Sequence, residues 1–348
     1  MLLVVLLALL GSAVQAQGLE EYLPRELAEY TEVAQSVTEW LTQTPLQLLC
    51  EVWQKFSSLS TQPLQLFLKI TILLVLAGLM TTAGESGDKP FLPLVEMVCF
   101  LMCALVCISP VQQMIERTHE QILYCKGVLV GFVPVFSGLL AGGGQPASAA
   151  VFSGFFLSTA LLLAEVAAVI VLPLIRILMA LHAAAGVSGI SVASSVAKLV
   201  QKSIKWGLGL VSTIFGTFLG LQNFLAGASD SLLLKTGKFL IGSSIPIVGQ
   251  AVSGTITAVS AGMKAAQGTV GIGLMAVLAM CFVPVLLQSV AYWAAFSAAA
   301  SIADGLAQSK CAALLKAAAS CISLCGLTLL FYGLPVVVSV VWMMSSGG

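Results

Sequence analysis

The run ASAAVFSGFFLSTALLLAEVAAVIVLPLIRILMALH occupies residues 147–182 and holds only two charged side chains, Glu165 and Arg176. Its thirty-six residues would rise about 54 Å as one helix, against roughly 30 Å of hydrocarbon in a bilayer. Either one helix projects well beyond the membrane, or two short passes turn near Glu165. The whole chain shares this character: of 348 residues 59% are hydrophobic and 9% charged, with a mean hydropathy of +1.04. A soluble domain runs at roughly 45–50% apolar and about 25% charged. A water-soluble globule and a disordered chain are therefore both excluded. The sequence specifies an all-α, polytopic membrane protein.

Residues just downstream of the run favour two passes. Lys198, Lys202 and Lys205 recur at i, i+4 and i+7, opposite Val192, Val196, Leu199 and Ser203. An amphipathic helix of this kind belongs on the anionic cytoplasmic leaflet. Counted from an exported N-terminal segment, it falls inside only if 147–182 crosses twice.

Charge along the chain supports that orientation. The 15 basic and 15 acidic residues cancel, so no global field draws nucleic acid, and none is expected as a partner. Yet residues 17–66 hold seven acids (Glu20, Glu21, Glu26, Glu29, Glu32, Glu39 and Glu51) against Arg25 and Lys55. From residue 121 onward, ten Lys and Arg face only Glu165, Asp230 and Asp304. An acidic head outside and basic loops inside is the expected arrangement.

The N-terminus fits export. Leu2–Leu10 is a short apolar run, and small residues follow to Ala16, as in a secretory signal peptide over residues 1–16. No Lys or Arg precedes it. Residues 17–63 read as a short extracytoplasmic segment of two amphipathic helices. Leu23, Leu27, Tyr30, Ala34, Val37 and Leu41 mark the first; Leu46, Leu49, Trp53 and Phe56 mark the second. The membrane domain then covers residues 64–346. Its expected spans are 64–83, 92–109, 122–141, 147–182 as one or two, 207–226, 239–262 (a span or a re-entrant loop), 269–296 and 317–344, six to eight in all.

Proline and glycine punctuate these spans. Phe-Val-Pro-Val occurs twice, at 132–135 and 282–285. Residues 131–150 and 242–254 are Gly/Pro-interrupted, a feature of transporter binding regions, although small residues also simply let helices pack closely. The candidate transport-path or kink residues are Pro134, Gly142, Gly143, Glu165, Arg176, Pro246, Gly249 and Pro284. Glu165 ranks highest, because an ionised group at membrane depth is expensive. Arg176, eleven residues further on, stands roughly 16 Å away along a continuous helix and can pair with it only if the chain turns.

Catalytic and metal signatures are weak. Cys99, Cys103 and Cys107 share a helical face, as do Cys321 and Cys325, but no histidine joins them, and cysteine within a span acts as a small hydrophobe. No metal or cofactor is expected. Gly186-Val187-Ser188-Gly189 matches the Gly-x-Ser-Gly of rhomboid intramembrane proteases. The only histidines are His119, in a loop, and His182 on the same segment, so no base faces Ser188 from another helix. No P-loop, zinc-protease or dinucleotide fingerprint is present, and no catalytic residue is assigned.

One block is more specific. LKTGKFLIGSSIPIVGQ at residues 234–250 resembles the stage III sporulation protein AE family of endospore formers. So do Gly268-Thr269-Val270-Gly271 with the Pro284 span after it, and the segment from Pro134 through Leu-Leu-Ala-Gly-Gly to Ser148-Ala149-Ala150. The likeness covers roughly residues 60–344. The resemblance implies a non-enzymatic subunit of the channel complex that joins mother cell and forespore, needed for late forespore gene expression. It implies a place in the mother-cell membrane around the forespore. The implied partners are the other proteins of the same operon, among them a secretion-type ATPase and ring-forming subunits, with a forespore partner and membrane lipids. A self-sufficient secondary transporter, with a midplane site between Pro-kinked helices, is the competing expectation.

Overall fold

A computed structural model describes residues 45–84, 92–188, 191–244 and 249–345 of the chain. The described residues form helices and short corners, with no strand among them. We number the helices α1 (Pro45–Gly84), α2 (Leu92–Gly142), α3 (residues 146–188), α4 (Ser191–Ser244), α5 (Gly249–Gly305) and α6 (Ser309–Ser345). Among the described residues six helices are long and apolar enough to cross a membrane, one within each of these elements. The expected signal peptide and first amphipathic helix lie outside the described residues.

The helices are longer than the expected spans, because the chain does not break where polar residues interrupt the apolar runs. The two spans 92–109 and 122–141 are halves of α2, whose 51 residues include Pro110 and Pro134. Between them Val111, Met114, Ile115, Thr118 and Ile122 are all buried. The inward stripe thus keeps its i, i+3, i+4 spacing across the polar stretch Glu116–Gln121, where Thr118 faces inward with its hydroxyl on the Met114 carbonyl (2.7 Å) and Glu116 and Glu120 point outward. In the same way α1 runs through Pro63 and joins the second amphipathic helix to the span at 64–83.

The turn expected near Glu165 is absent. Glu165 has helical dihedrals (φ −66°, ψ −45°), and α3 is one rod of three α-helical stretches, Pro146–Ala150, Leu157–Glu165 and Leu172–Ser188. Two π-helical turns, Val151–Phe156 and Val166–Val171, link them. Pro173 follows the second turn. In a regular helix its ring would crowd the carbonyl four residues back, and a wider turn there relieves the clash. No glycine or proline stands at 160–170 to reverse the chain, so the two-pass reading fails locally.

The separate leaflet helix is corrected as well. Lys198, Lys202 and Lys205 sit near the start of α4, a 54-residue helix collinear with the expected span at 207–226. Ala197, Ile204 and Leu208 face inward, while Val192, Val196 and Leu199, read as the apolar face, are exposed. The candidate span 239–262 is divided between the end of α4 and the start of α5, and Pro246 lies outside the described residues.

Short corners at 142–146 and 305–309 make successive helices antiparallel. At the second corner Ala307 takes a left-handed φ of 58°, with Gln308 N–H donating to the Ala303 carbonyl (3.0 Å) and Ala307 N–H to that of Asp304 (3.1 Å). The core has two tiers along the axis. One is built from Leu66, Ile70, Phe100, Cys107, Ile175, Phe296 and Cys311–Cys325 on α6. The other contains Leu129, Phe136, Phe152, Phe156, Leu278 and Leu329–Val340 on α6. Among the described residues α6 is the most enclosed of the helices and α4 the most open. The second tier is free of charge, since residues 127–164, 206–229, 265–303 and 317–348 contain no Asp, Glu, Lys or Arg.

Small residues let the helices meet. A Cβ at Gly186 would lie 2.1 Å from the Phe100 ring, and one at Gly326 would lie 2.6 Å from Ser289 Oγ. Gly186, read within a protease-like motif, is therefore the seat of an aromatic ring.

Two measurements test this packing. Gly186→Ala should lower stability by about 1–3 kcal/mol in thermal unfolding, the usual cost of overpacking. Phe100→Ala should restore part of it in the double variant, and Gly131→Ala, whose Cβ would meet nothing within 4 Å, should be silent. Single cysteines at Ala150 and Ala180, in a background without accessible thiols, should label from opposite faces of the membrane. Labelling from one face would restore the turn at Glu165.

Candidate functional site

The corner between α2 and α3 carries the most constrained polar geometry in the described residues. Gln145 N–H donates to the Leu140 carbonyl (3.0 Å) and Gly144 N–H to that of Ala141 (3.1 Å), closing the end of α2. Gly144 has φ 84°, so the left-handed position falls on it rather than on the candidates Gly142 and Gly143, which only lead into it. Pro146 opens α3, where its missing N–H costs nothing.

The next two donors of α3 meet a carboxylate from another helix. Ala147 N–H donates to Asp230 Oδ1 and Ser148 N–H to Asp230 Oδ2, both at 2.8 Å. Asp230 is 2% exposed, on α4. The helix N-terminus supplies oriented donors and positive dipole, which is what a buried carboxylate requires. No side chain adjacent in sequence caps α3, so Asp230 does so from 82 residues away. Sequence reading passed over it. The available signal was that it is the lone acid between Glu165 and Asp304.

Glu165 is also partnered, by Lys126 on α2 with Nζ to Oε2 at 3.0 Å. The pair sits at the edge of the charge-free tier, and its side chains are 34% and 59% exposed. Arg176 forms no salt bridge to Glu165. Between this pair and the corner, aromatic rings join the helices. Phe136 and Phe152 lie 5.2 Å apart, Phe152 and Phe156 stack at 4.7 Å, and Phe155 meets Phe218 of α4 at 4.8 Å.

The two Phe-Val-Pro-Val segments meet the same core. Val133 and Phe282 are both buried in the second tier, whereas Pro134 is exposed and Pro284 half-buried. Gly249 begins α5. The candidate residues therefore do not converge: Gly142 and Gly143 lead into the corner that Asp230 caps, Glu165 pairs with Lys126, and Pro134 and Pro284 flank the second core.

Cysteines cross helices where sequence reading saw single faces. Cys311 of α6 contacts Cys99 and Cys103 of α2, and Cys125 of α2 contacts Cys281 of α5. Cys103 and Cys107 sulfurs lie 4.0 Å apart. All eight cysteines among the described side chains are free, and no group of three or more His, Cys, Asp or Glu among the described residues is arranged to hold a metal ion.

Residues 30–347 match the family described as stage III sporulation protein AE. The chain belongs to the stage III sporulation protein AE family. A curated relative, stage III sporulation protein AE of Bacillus subtilis (strain 168), is 24% identical over 246 residues, covering 70% of this chain. The aligned part spans 59% of that relative's length. No solved structure matches. Membership in this family and six membrane-crossing helices establish a multi-pass membrane protein of sporulation.

Asp230→Ala should destabilise the protein by about 1.5–3 kcal/mol, the range for hydrogen bonds to a charged group, with Asp230→Asn in between. Thermal unfolding in detergent reads the loss. Limited proteolysis should find new cleavage at 142–148 in the Ala variant.

Proposed function

We propose that this chain is a non-enzymatic integral membrane subunit of the sporulation channel or secretion complex linking mother cell and forespore, required for late forespore gene expression. The observation that carries the reading is the family match across residues 30–347. The architecture supports it in physical terms. A bundle built around one enclosed helix, α6, leaves large apolar side chains of α1, α2 and α4 on its outside, among them Leu68, Leu101 and Leu210. Such faces suit lipid and neighbouring membrane subunits. In this reading the protein sits in the mother-cell membrane around the forespore. Its partners there are the other proteins of the operon, including a secretion-type ATPase and ring-forming subunits, together with a forespore partner.

The exported acidic residues at 17–51 would dock those partners outside. Because 92–109 and 122–141 are one helix, a single pass of α3 still brings the start of α4 inside when the N-terminal segment is exported, so Lys198, Lys202 and Lys205, exposed on α4, would meet the cytoplasmic leaflet or the ATPase. The competing reading is a secondary transporter acting alone, favoured by the entry of both Phe-Val-Pro-Val segments into one core tier.

Deleting the gene should let engulfment finish while late forespore transcription fails, scored with a forespore reporter. Normal spores from the deletion strain would sink the proposal. Solute uptake by the purified protein alone in proteoliposomes would favour the transporter, and strict dependence on partners the complex.

A further inference from the structure

Between α3, α4 and α6 lies a cavity of about 190 Å³, lined by Ala167, Leu174, Gly207, Val211, Phe331 and Tyr332 among others. Its wall includes the second π-helical turn, Val166–Val171. The lining is almost wholly apolar. The hydroxyls of Ser212 and Thr328 already donate to the carbonyls of Phe331 (3.1 Å) and Leu324 (2.8 Å). Gly207 is exposed and a Cβ added there would meet nothing within 4 Å, so the cavity opens on the outside of the bundle beside it. An apolar cavity of about 150 Å³ is enough to take up benzene. The buried hydroxyl of Tyr332 has no hydrogen-bond partner.

Position along the bundle narrows the occupant. Ser203 and Ile204 line one end of the cavity, and the exposed Lys202 and Lys205 flank them in α4. Beyond, residues 206–229 carry no charge, and Trp206, Leu210 and Ile214 are exposed. A molecule lying along α4 would therefore meet ammonium groups at one end and hydrocarbon surroundings below. Phosphate above an acyl chain has that polarity.

We propose that this cavity takes up a stretch of one acyl chain of a membrane phospholipid, whose phosphate rests at the level of Lys202 and Lys205. The assignment rests on the membrane-spanning bundle and not on the channel reading, so either can fail alone. The full-length protein, purified in mild detergent and supplied with phosphatidylglycerol, is examined by native mass spectrometry. Wild type should retain one phospholipid per chain, Gly207→Phe should reduce its occupancy at least tenfold, and the outward-facing Gly131→Phe should leave it unchanged. Equal retention in Gly207→Phe, no retained lipid in wild type, or a bound fatty acid or detergent in its place would overturn the proposal. Should Gly207→Phe fail to fold, a phospholipid with a photoreactive acyl chain tests the unaltered protein. Adducts on Leu174, Val211 or Tyr332 support the site, and adducts confined to Leu210 and Ile214 overturn it.

Discussion

In hydrocarbon an unpaired peptide group costs several kcal/mol, and the only internal partner a single segment can offer is the next helical turn. This constraint governs the protein. It explains why helices persist through Pro63, Pro110, Pro134, Pro284 and Pro335. One donor lost at a proline is cheaper than ending the ladder, which would leave up to eight terminal groups to satisfy. It also explains how the ends that do occur are treated. At 142–148 the backbone N–H groups of Gly143, Gly144, Gln145, Ala147 and Ser148 all have acceptors, and the last two find theirs on Asp230 of a distant helix.

With continuous rods fixed, stability passes to contacts between them. No water is present to drive apolar faces together within the bilayer, so helices gain by approaching closely. Gly186 beneath Phe100 and Gly326 beside Ser289 are such approaches, and α6 lies at the centre of both core tiers. Charged groups sort to the outside or to the ends. The Lys126–Glu165 pair and the row Lys198, Lys202 and Lys205 border the charge-free tier, and Asp230 is admitted only as a helix cap.

In this member of the stage III sporulation protein AE family α6 is enclosed, α4 is open to its surroundings, and an apolar cavity lies between them and α3. Glu165, the strongest intramembrane candidate from sequence, holds two helices together. Its charge is matched by Lys126.

The fold class was legible in the residues themselves, because burial of so much apolar surface has one solution in lipid, and so was the family, through the block at 234–250. Local patterns also located the apolar stretches. They misjudged where helices end. Polar interruptions such as Glu116–Gln121 and Lys198–Lys205 look like boundaries in a linear reading, yet a helix tolerates them on its outer face while its inner stripe continues. Side-chain partnerships lay further out of reach. Asp230 with Ala147 and Ser148, Cys125 with Cys281, and the cavity at Gly207 join residues far apart in sequence. Composition and periodicity determine that helices form and which faces are apolar; only packing in three dimensions decides which donor meets which acceptor and where space is left.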